Sequence, residues 1–217
     1  MAVRGIACDL DGVLRRFPAQ AEVERRHGVP PGTVAAVAFA EDLLTPAITG
    51  AVDDNVWRLG IVQRLTPRLG RAAASLLVAE WSAHPGVVDQ EVLLVLRQMR
   101  SRAPVVLLTN ATTRLRQDLE RLDMTQEFDA VISSAETGVA KPSPGAFAAA
   151  AHALGRLAGA PVSSDGLLFI DDTPGHVAAA AALGWQTHSF NDVESLRDLV
   201  TGWGTGPVRH CDTSDLG

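Results

Sequence analysis

The chain has 217 residues, 47% of them hydrophobic, enough to bury a core without disulfide staples. Its 25 acidic residues against 19 basic ones leave a formal net charge of −6, which excludes the broadly basic surface that non-specific binding to nucleic acid or anionic membrane requires. The two cysteines, Cys8 and Cys211, lack metal-type spacing and exclude a disulfide framework, and no apolar stretch is long enough to span a bilayer or, at the start of the chain, to act as a secretory signal.

A cytoplasmic protein with a reduced, buried Cys8 is therefore expected. The first apolar run, 3–10, reads as a strand that runs out into Cys8-Asp9-Leu10-Asp11-Gly12-Val13-Leu14. In an extended segment Asp9 and Asp11 share a face, and two carboxylates held together repel unless a cation or a shared proton separates them. The pair points to phosphate chemistry and a metal, against the plainer reading of an Asp-Gly turn.

From 15 to 85 the pattern is helical throughout, with Val23, His27, Val34, Val37, Val56, Leu59, Leu76 and Leu77 as its apolar positions and no strand-like run. This stretch is read as a helical cap inserted after the first strand, emerging beside the Asp pair. Arg15 and Arg16 at its entry either meet a second anionic group on a ligand or form a solvated basic pair; Trp57 and Trp81 either line a cap pocket or pack in its core.

Strand and helix then alternate. A helix face of Val92, Val95, Leu96 and Met99 precedes a strand at 104–108, which ends in Leu107-Leu108-Thr109-Asn110. Leu115, Leu119 and Leu122 mark the next helix, 130–132 the next strand, and Phe147, Ala150, Ala151 and Leu154 another helix. Lys141 sits between them in the loop Gly138-Val139-Ala140-Lys141-Pro142-Ser143. A strand at 167–170 runs into Phe169-Ile170-Asp171-Asp172-Thr173-Pro174, and a last one covers 186–190. Ser143 before Pro144 and Thr173 before Pro174 offer N-caps, and Gly184 a helix end. Alternation of this kind predicts a parallel α/β sheet with a core of 1–14 and 86–200, a cap of 15–85, and a frayed polar tail of 201–217.

Taken singly, Thr109-Asn110 is a capping signal, Lys141 a solvated loop residue, and Asp172 a helix cap. Their order is more specific. The succession DLDG, LLTN, the Lys141 loop and FIDD followed by Gly175 to Trp185 resembles the haloacid dehalogenase-like hydrolase superfamily in its helical-cap branch, over roughly residues 3 to 190. The resemblance implies a Rossmann-like sheet, an active site at the strand carboxyl ends, and Mg²⁺-dependent phosphatase activity.

Carried over by position, Asp9 would be the nucleophile that forms an aspartyl-phosphate, and Asp11 the acid/base. Mg²⁺ would be held by Asp9, the main-chain carbonyl of Asp11 and the Asp171-Asp172 pair, with Asp172 favoured for direct contact. Thr109 and Asn110 would donate to phosphate oxygens, and Lys141 would neutralise both the nucleophile and the transferring group. His176 stands where the family often carries asparagine, and a structural hydrogen bond is expected of it. The implied partner is a small phosphorylated metabolite, not nucleic acid or membrane, with the cap closing over it about hinges near 14–17 and 84–87. Nothing in the sequence assigns an oligomeric state. A sugar phosphomutase is the alternative on the same fold. Asp11 counts against a dehalogenase, and the full set of reactive groups against a non-catalytic binding module.

Overall fold

The computed structural model describes residues 2–17 and 20–203. In chain order the elements are β1 (Gly5–Cys8), β2 (Arg15–Arg16), α1 (Gln20–Arg26), α2 (Thr33–Ala38), α3 (Glu41–Ile48), α4 (Asp54–Leu69), α5 (Arg71–Trp81), β3 (Val87–Val88) and α6 (Gln90–Arg100). There follow β4 (Val105–Thr109), α7 (Leu115–Arg121), β5 (Ala130–Ser133), α8 (Ser134–Thr137), α9 (Pro144–Leu157), β6 (Leu167–Asp171), α10 (Pro174–Ala182), β7 (Gln186–Ser189) and α11 (Val193–Thr201). The fold is α/β: a Rossmann-like parallel sheet of order β5-β4-β1-β6-β7, into which a helical subdomain is inserted.

The strands read as continuous apolar runs because both faces of the sheet are covered. Alternate residues part to opposite sides. Ile6 and Cys8 join Leu107 and Ile170 beneath α6, α7 and α11, whereas Ala7 joins Val106, Leu108 and Phe169 beneath α9. There Phe147 meets Phe169 edge-on at 5.2 Å between centroids and Trp185 at 5.9 Å. Burying an aromatic side chain such as Phe147 contributes about 2 kcal/mol. Central β1 carries the register that matters: Cys8 pairs with Leu107 on one side and Ile170 on the other, so the next residue, Asp9, stands level with Asp171.

Helices α1 to α5 have a core of their own around Val34, Trp57, Ile61, Leu65, Leu77 and Trp81. On α4 the buried face runs through Trp57, Ile61 and Leu65, one every four residues. Val56, Leu59 and Leu76, read from the sequence as apolar positions of this stretch, are 50%, 48% and 66% exposed. The chain enters this subdomain through β2 and leaves through β3, which pair antiparallel as Arg15↔Val88 and Arg16↔Val87. Strands of two residues leave no periodicity in a sequence, so nothing local marks this ribbon.

Ser143 and Thr173 occupy the N-cap positions of α9 and α10, but neither side chain caps its helix. The Thr173 hydroxyl turns instead to Asp172 Oδ1 at 3.3 Å, and the proline at the first position of each helix fits there because its fixed φ is already helical. Gly184, just past the end of α10, takes the left-handed conformation with φ 82°. Helix α11 runs through Thr201, where the tail was expected to begin; the rest of that tail from 204, with Cys211, lies outside the described residues. No helix among the described residues is long and apolar enough to cross a membrane.

Candidate active site

The carboxyl ends of β1, β4 and β6 lie side by side, and each releases a functional side chain as its strand ends. Asp9 follows β1 and is 6% exposed; its Oδ1 accepts from the Leu10 N–H at 2.8 Å, which turns the carboxylate back over the strand end. Asp171 ends β6 and is fully buried. Between them stands Lys141, whose Nζ lies 2.8 Å from Asp9 Oδ1 and 2.7 Å from Asp171 Oδ2. The lysine reads in the sequence as a solvated loop residue, yet it is 3% exposed.

Asn110 puts it there. Its Oδ1 accepts from the Lys141 backbone N–H at 2.8 Å and its Nδ2 donates to the Lys141 carbonyl at 2.9 Å. The expected phosphate donor thus spends its carboxamide clasping the lysine loop to the end of β4. Thr109, one residue earlier, is 1% exposed, and its hydroxyl has no hydrogen-bond partner among the described residues. A buried hydroxyl left unpaired costs free energy on the order of 1–3 kcal/mol, so it is poised for an acceptor supplied from outside the chain.

One ammonium serves two carboxylates, and they respond differently. Burial, reinforced by the nearby Asp171 charge, lifts Asp9 to about 7 in spite of Lys141. Burial works the same way on Asp171, but hydrogen bonds from His176, Lys141 and the Thr173 N–H outweigh it and hold that carboxyl at about 2. Burial opposes the charge on Lys141 too, yet Asp9 and Asp171 together keep it above the ordinary lysine value. Asp9 is therefore the carboxylate left short of positive charge. Its neighbour Cys8, wholly buried in the sheet, is held in the thiol form by desolvation.

His176 Nδ1 lies 3.1 Å from Asp171 Oδ2, the structural hydrogen bond expected of it. Ligand atoms of Asp9, Asp171 and His176 fall within 4.8 Å of one another. Two buried carboxylates, one of them undercompensated, fit a hard divalent cation such as Mg²⁺, which prefers oxygen; the imidazole is the less suitable donor and is already engaged with Asp171. Asp172 is exposed and lies against the turn after Asp9. Gly12 there has φ +87°, and a Cβ at that position would fall 1.9 Å from Asp172 Oδ2. Only glycine permits both the turn and the close approach.

Asp11 is turned away from Lys141 into a fork with Arg15, with Nε to Oδ1 at 2.6 Å and Nη2 to Oδ2 at 2.9 Å. Arg15 is 5% exposed and also reaches Asp118 Oδ2 at 3.4 Å, so it is neither the solvated residue nor the free anion receptor considered from the sequence. Arg16 is the exposed member of the pair, 3.9 Å from Asp89. Beside Asp11 opens a cavity of ≈ 160 Å³ between the sheet edge and the helical subdomain. Trp57 and Trp81 line it while also belonging to the subdomain core. Arg114 and Asp118 on its wall went unnoticed in the sequence, because an Arg-Asp pair four apart on a helix reads as a solvated i, i+4 couple.

Residues 3–184 match the haloacid dehalogenase-like hydrolase family. The fold is similar to that of a HAD family enzyme from Bacteroides thetaiotaomicron solved with magnesium and inorganic phosphate, at 20% identity over 87% of this chain and 94% of that one, TM-score 0.65. A predicted HAD-like hydrolase from Porphyromonas gingivalis is similar at 20% identity over 92% and 98% of the two chains, TM-score 0.64. L-2-haloacid dehalogenase from Xanthobacter autotrophicus, with chloropropionic acid covalently bound, is similar at 18% identity over 94% and 85%, TM-score 0.63.

Proposed function

Since the chain belongs to the haloacid dehalogenase-like hydrolase family and is an enzyme of that family, we propose that it is a magnesium-dependent phosphatase acting on a small organic phosphate monoester. The observation that carries this reading is Lys141 Nζ, buried and within 2.8 Å of Asp9, beside the unpaired hydroxyl of Thr109. A cation and a hydroxyl donor flanking a buried carboxylate suit an incoming phosphoryl group, whose charge they would share. The magnesium complex of the Bacteroides enzyme, which also holds inorganic phosphate, is consistent with it.

In this mechanism an oxygen of Asp9 attacks phosphorus, forming the Asp9 O–P bond as the bond to the ester oxygen breaks. Asp11 gives its proton to the departing alkoxide, and then takes one from a water that attacks the same phosphorus. The Asp9 O–P bond breaks, releasing inorganic phosphate and restoring the carboxylate. Lys141 and Thr109 hold the phosphoryl oxygens throughout, and Asn110 keeps the lysine in place. Asp9, the main-chain carbonyl of Asp11 and the Asp171-Asp172 pair would hold Mg²⁺, with Asp172 in direct contact because the oxygens of Asp171 are already engaged by Lys141, His176 and the Thr173 N–H. When bound, the ion supplies positive charge to the nucleophile and the phosphoryl group.

To protonate a leaving group Asp11 must quit its fork with Arg15. That exchange links the acid/base to the helical subdomain, since Arg15 lies on β2 and also donates to the Pro85 carbonyl at 3.2 Å. The subdomain serves as a lid that bends at the β2–β3 ribbon and excludes water from the attack on phosphorus.

The test is a single turnover in H₂¹⁸O with Mg²⁺ and an aryl phosphate. The phosphatase route places the label in released phosphate and none in the peptide containing Asp9. Label in that peptide means that water opened the Asp9 intermediate at the carboxyl carbon and not at phosphorus, contrary to the proposed second step. With a sugar phosphate, an isomerised sugar phosphate in place of free phosphate would establish the mutase.

A further inference from the structure

We propose that Asp118 is a positioning residue for the acid/base step: it takes over the Arg15 guanidinium as Asp11 leaves it, so that Asp11 is freed by an exchange of carboxylates within the chain. This deepens the phosphatase reading and rests on it.

The state seen is the one in which Asp11 is held. Both of its oxygens accept from Arg15, at 2.6 and 2.9 Å, so the fork occupies the carboxylate that has to carry a proton to the leaving group. Release requires a second partner for the guanidinium, because a buried cation stripped of its carboxylate is strongly unfavourable and Arg15 is buried. Its side chain has little freedom to search for one. Gly86, at φ +96°, lies so close that a Cβ there would fall 2.6 Å from Arg15 Cγ, and the Phe17 ring centroid lies 4.9 Å from the guanidinium carbon. The stem is gripped at the β2–β3 ribbon while the head meets two carboxylates.

Asp118 is the second of them, and its bond to Arg15 is unfinished. Arg15 Nη1 lies 3.4 Å from Asp118 Oδ2 and also donates to the Pro85 carbonyl at 3.2 Å, whereas a tight charge-assisted bond spans roughly 2.7–2.9 Å. Arg114 Nε, at 3.1 Å, fixes Asp118 through that same Oδ2. Oδ1 has no partner among the described residues, and it is buried out of a ligand's reach, so the donor that satisfies it has to come from the chain. Arg58 also carries an unpaired Nε, but Asp54 holds its head at 2.5 Å and no step of the reaction releases it. A swing of the Arg15 guanidinium off Asp11 closes the long contact and turns a freed N–H toward Oδ1. The displaced donor and the orphan acceptor satisfy each other.

Two esters that differ in their need for a proton test this. Benzyl phosphate expels an alkoxide and depends on the acid, whereas 4-nitrophenyl phosphate expels a phenolate stable enough to leave without it. Each carries one ring, so changes in binding largely cancel between them. In Asp118→Asn the exchange loses its charged acceptor and Arg15 stays on Asp11; the kcat/KM ratio of the nitrophenyl to the benzyl ester should rise at least about tenfold. Adding Arg15→Gln removes the grip on Asp11 and should return the ratio to within about threefold of the wild type, a rescue that mere structural damage would not produce. A ratio unchanged in Asp118→Asn, or no lower in the double variant, overturns the inference. Failure of the wild type to release phosphate from either ester overturns the phosphatase reading instead. A crystal structure of the wild-type protein with Mg²⁺ and vanadate requires neither variant nor turnover. It should show Arg15 off Asp11 and within hydrogen-bond distance of Asp118 Oδ1. Arg15 still forked to Asp11 beside bound vanadate, or turned to any other partner, would defeat the inference whichever esters are cleaved.

Discussion

Replacing Asp9 by asparagine removes the buried carboxylate that lacks full compensation, and the effect on stability should depend on pH. Asp9 titrates at about 7 in the folded protein against 3.8 for the free side chain. Between those values the native chain retains a proton that the unfolded chain has released, so wild-type stability falls as pH rises and levels off above 7. The slope is about 1.4 kcal/mol per pH unit. From pH 5 to pH 8 only the two units below 7 count, and the wild type should lose about 3 kcal/mol relative to D9N. Urea melts of both proteins at pH 5 and pH 8 in EDTA measure this, because groups remote from Asp9 cancel in the difference, and Lys141, shifted upward, and Asp171, at about 2, keep their charge across that window. Added Mg²⁺ should shrink it by stabilising the ionised wild-type carboxylate. A D9N advantage that is the same at both pH values, or that falls as pH rises, would refute the account of Asp9 as the undercompensated member of the pair.

Lys141→Met leaves Asp9 and Asp171 facing each other without their shared cation; stability at pH 8 in EDTA should drop by about 3 kcal/mol in urea melts, and phosphate release should be lost even with saturating Mg²⁺. Thr109→Val exchanges an unpaired hydroxyl for a methyl, so the ligand-free protein should gain up to about 1 kcal/mol while affinity for inorganic phosphate, measured by calorimetry, falls. Gly12→Ala forces a Cβ into the Asp172 carboxylate at a φ of +87°, and should cost about 1–3 kcal/mol in melting experiments together with a weaker Mg²⁺ titration.

Much of this was legible because periodicity and strand ends are local. The apolar runs located the five sheet strands to within a few residues, and the placement of Asp9, Thr109 and Asp171 at strand ends follows once the sheet is parallel. Side-chain commitments were not legible, because they depend on what lies opposite. Nothing local to Asn110 says that it will spend both ends of its amide on Lys141, 31 residues away. Nor does the Arg15-Arg16 dipeptide reveal that one guanidinium is swallowed by Asp11 and Asp118 while the other stays outside. Within α4 the sequence supplied apolar residues on more than one face, and tertiary packing chose the one with Trp57, Ile61 and Leu65.

The two-residue ribbon of β2 and β3 also governs how this molecule can diverge. The outgoing and returning chain cross the boundary side by side, joined as Arg15↔Val88, so everything between them hangs from a single doorway. No strand of the main sheet has to be rethreaded if that module is lengthened, trimmed or exchanged. The hydrolytic apparatus and the inserted helices can thus be inherited separately, except where Arg15 and the bonds Thr112–Asp54 and Arg114–Ser82 tie the two together.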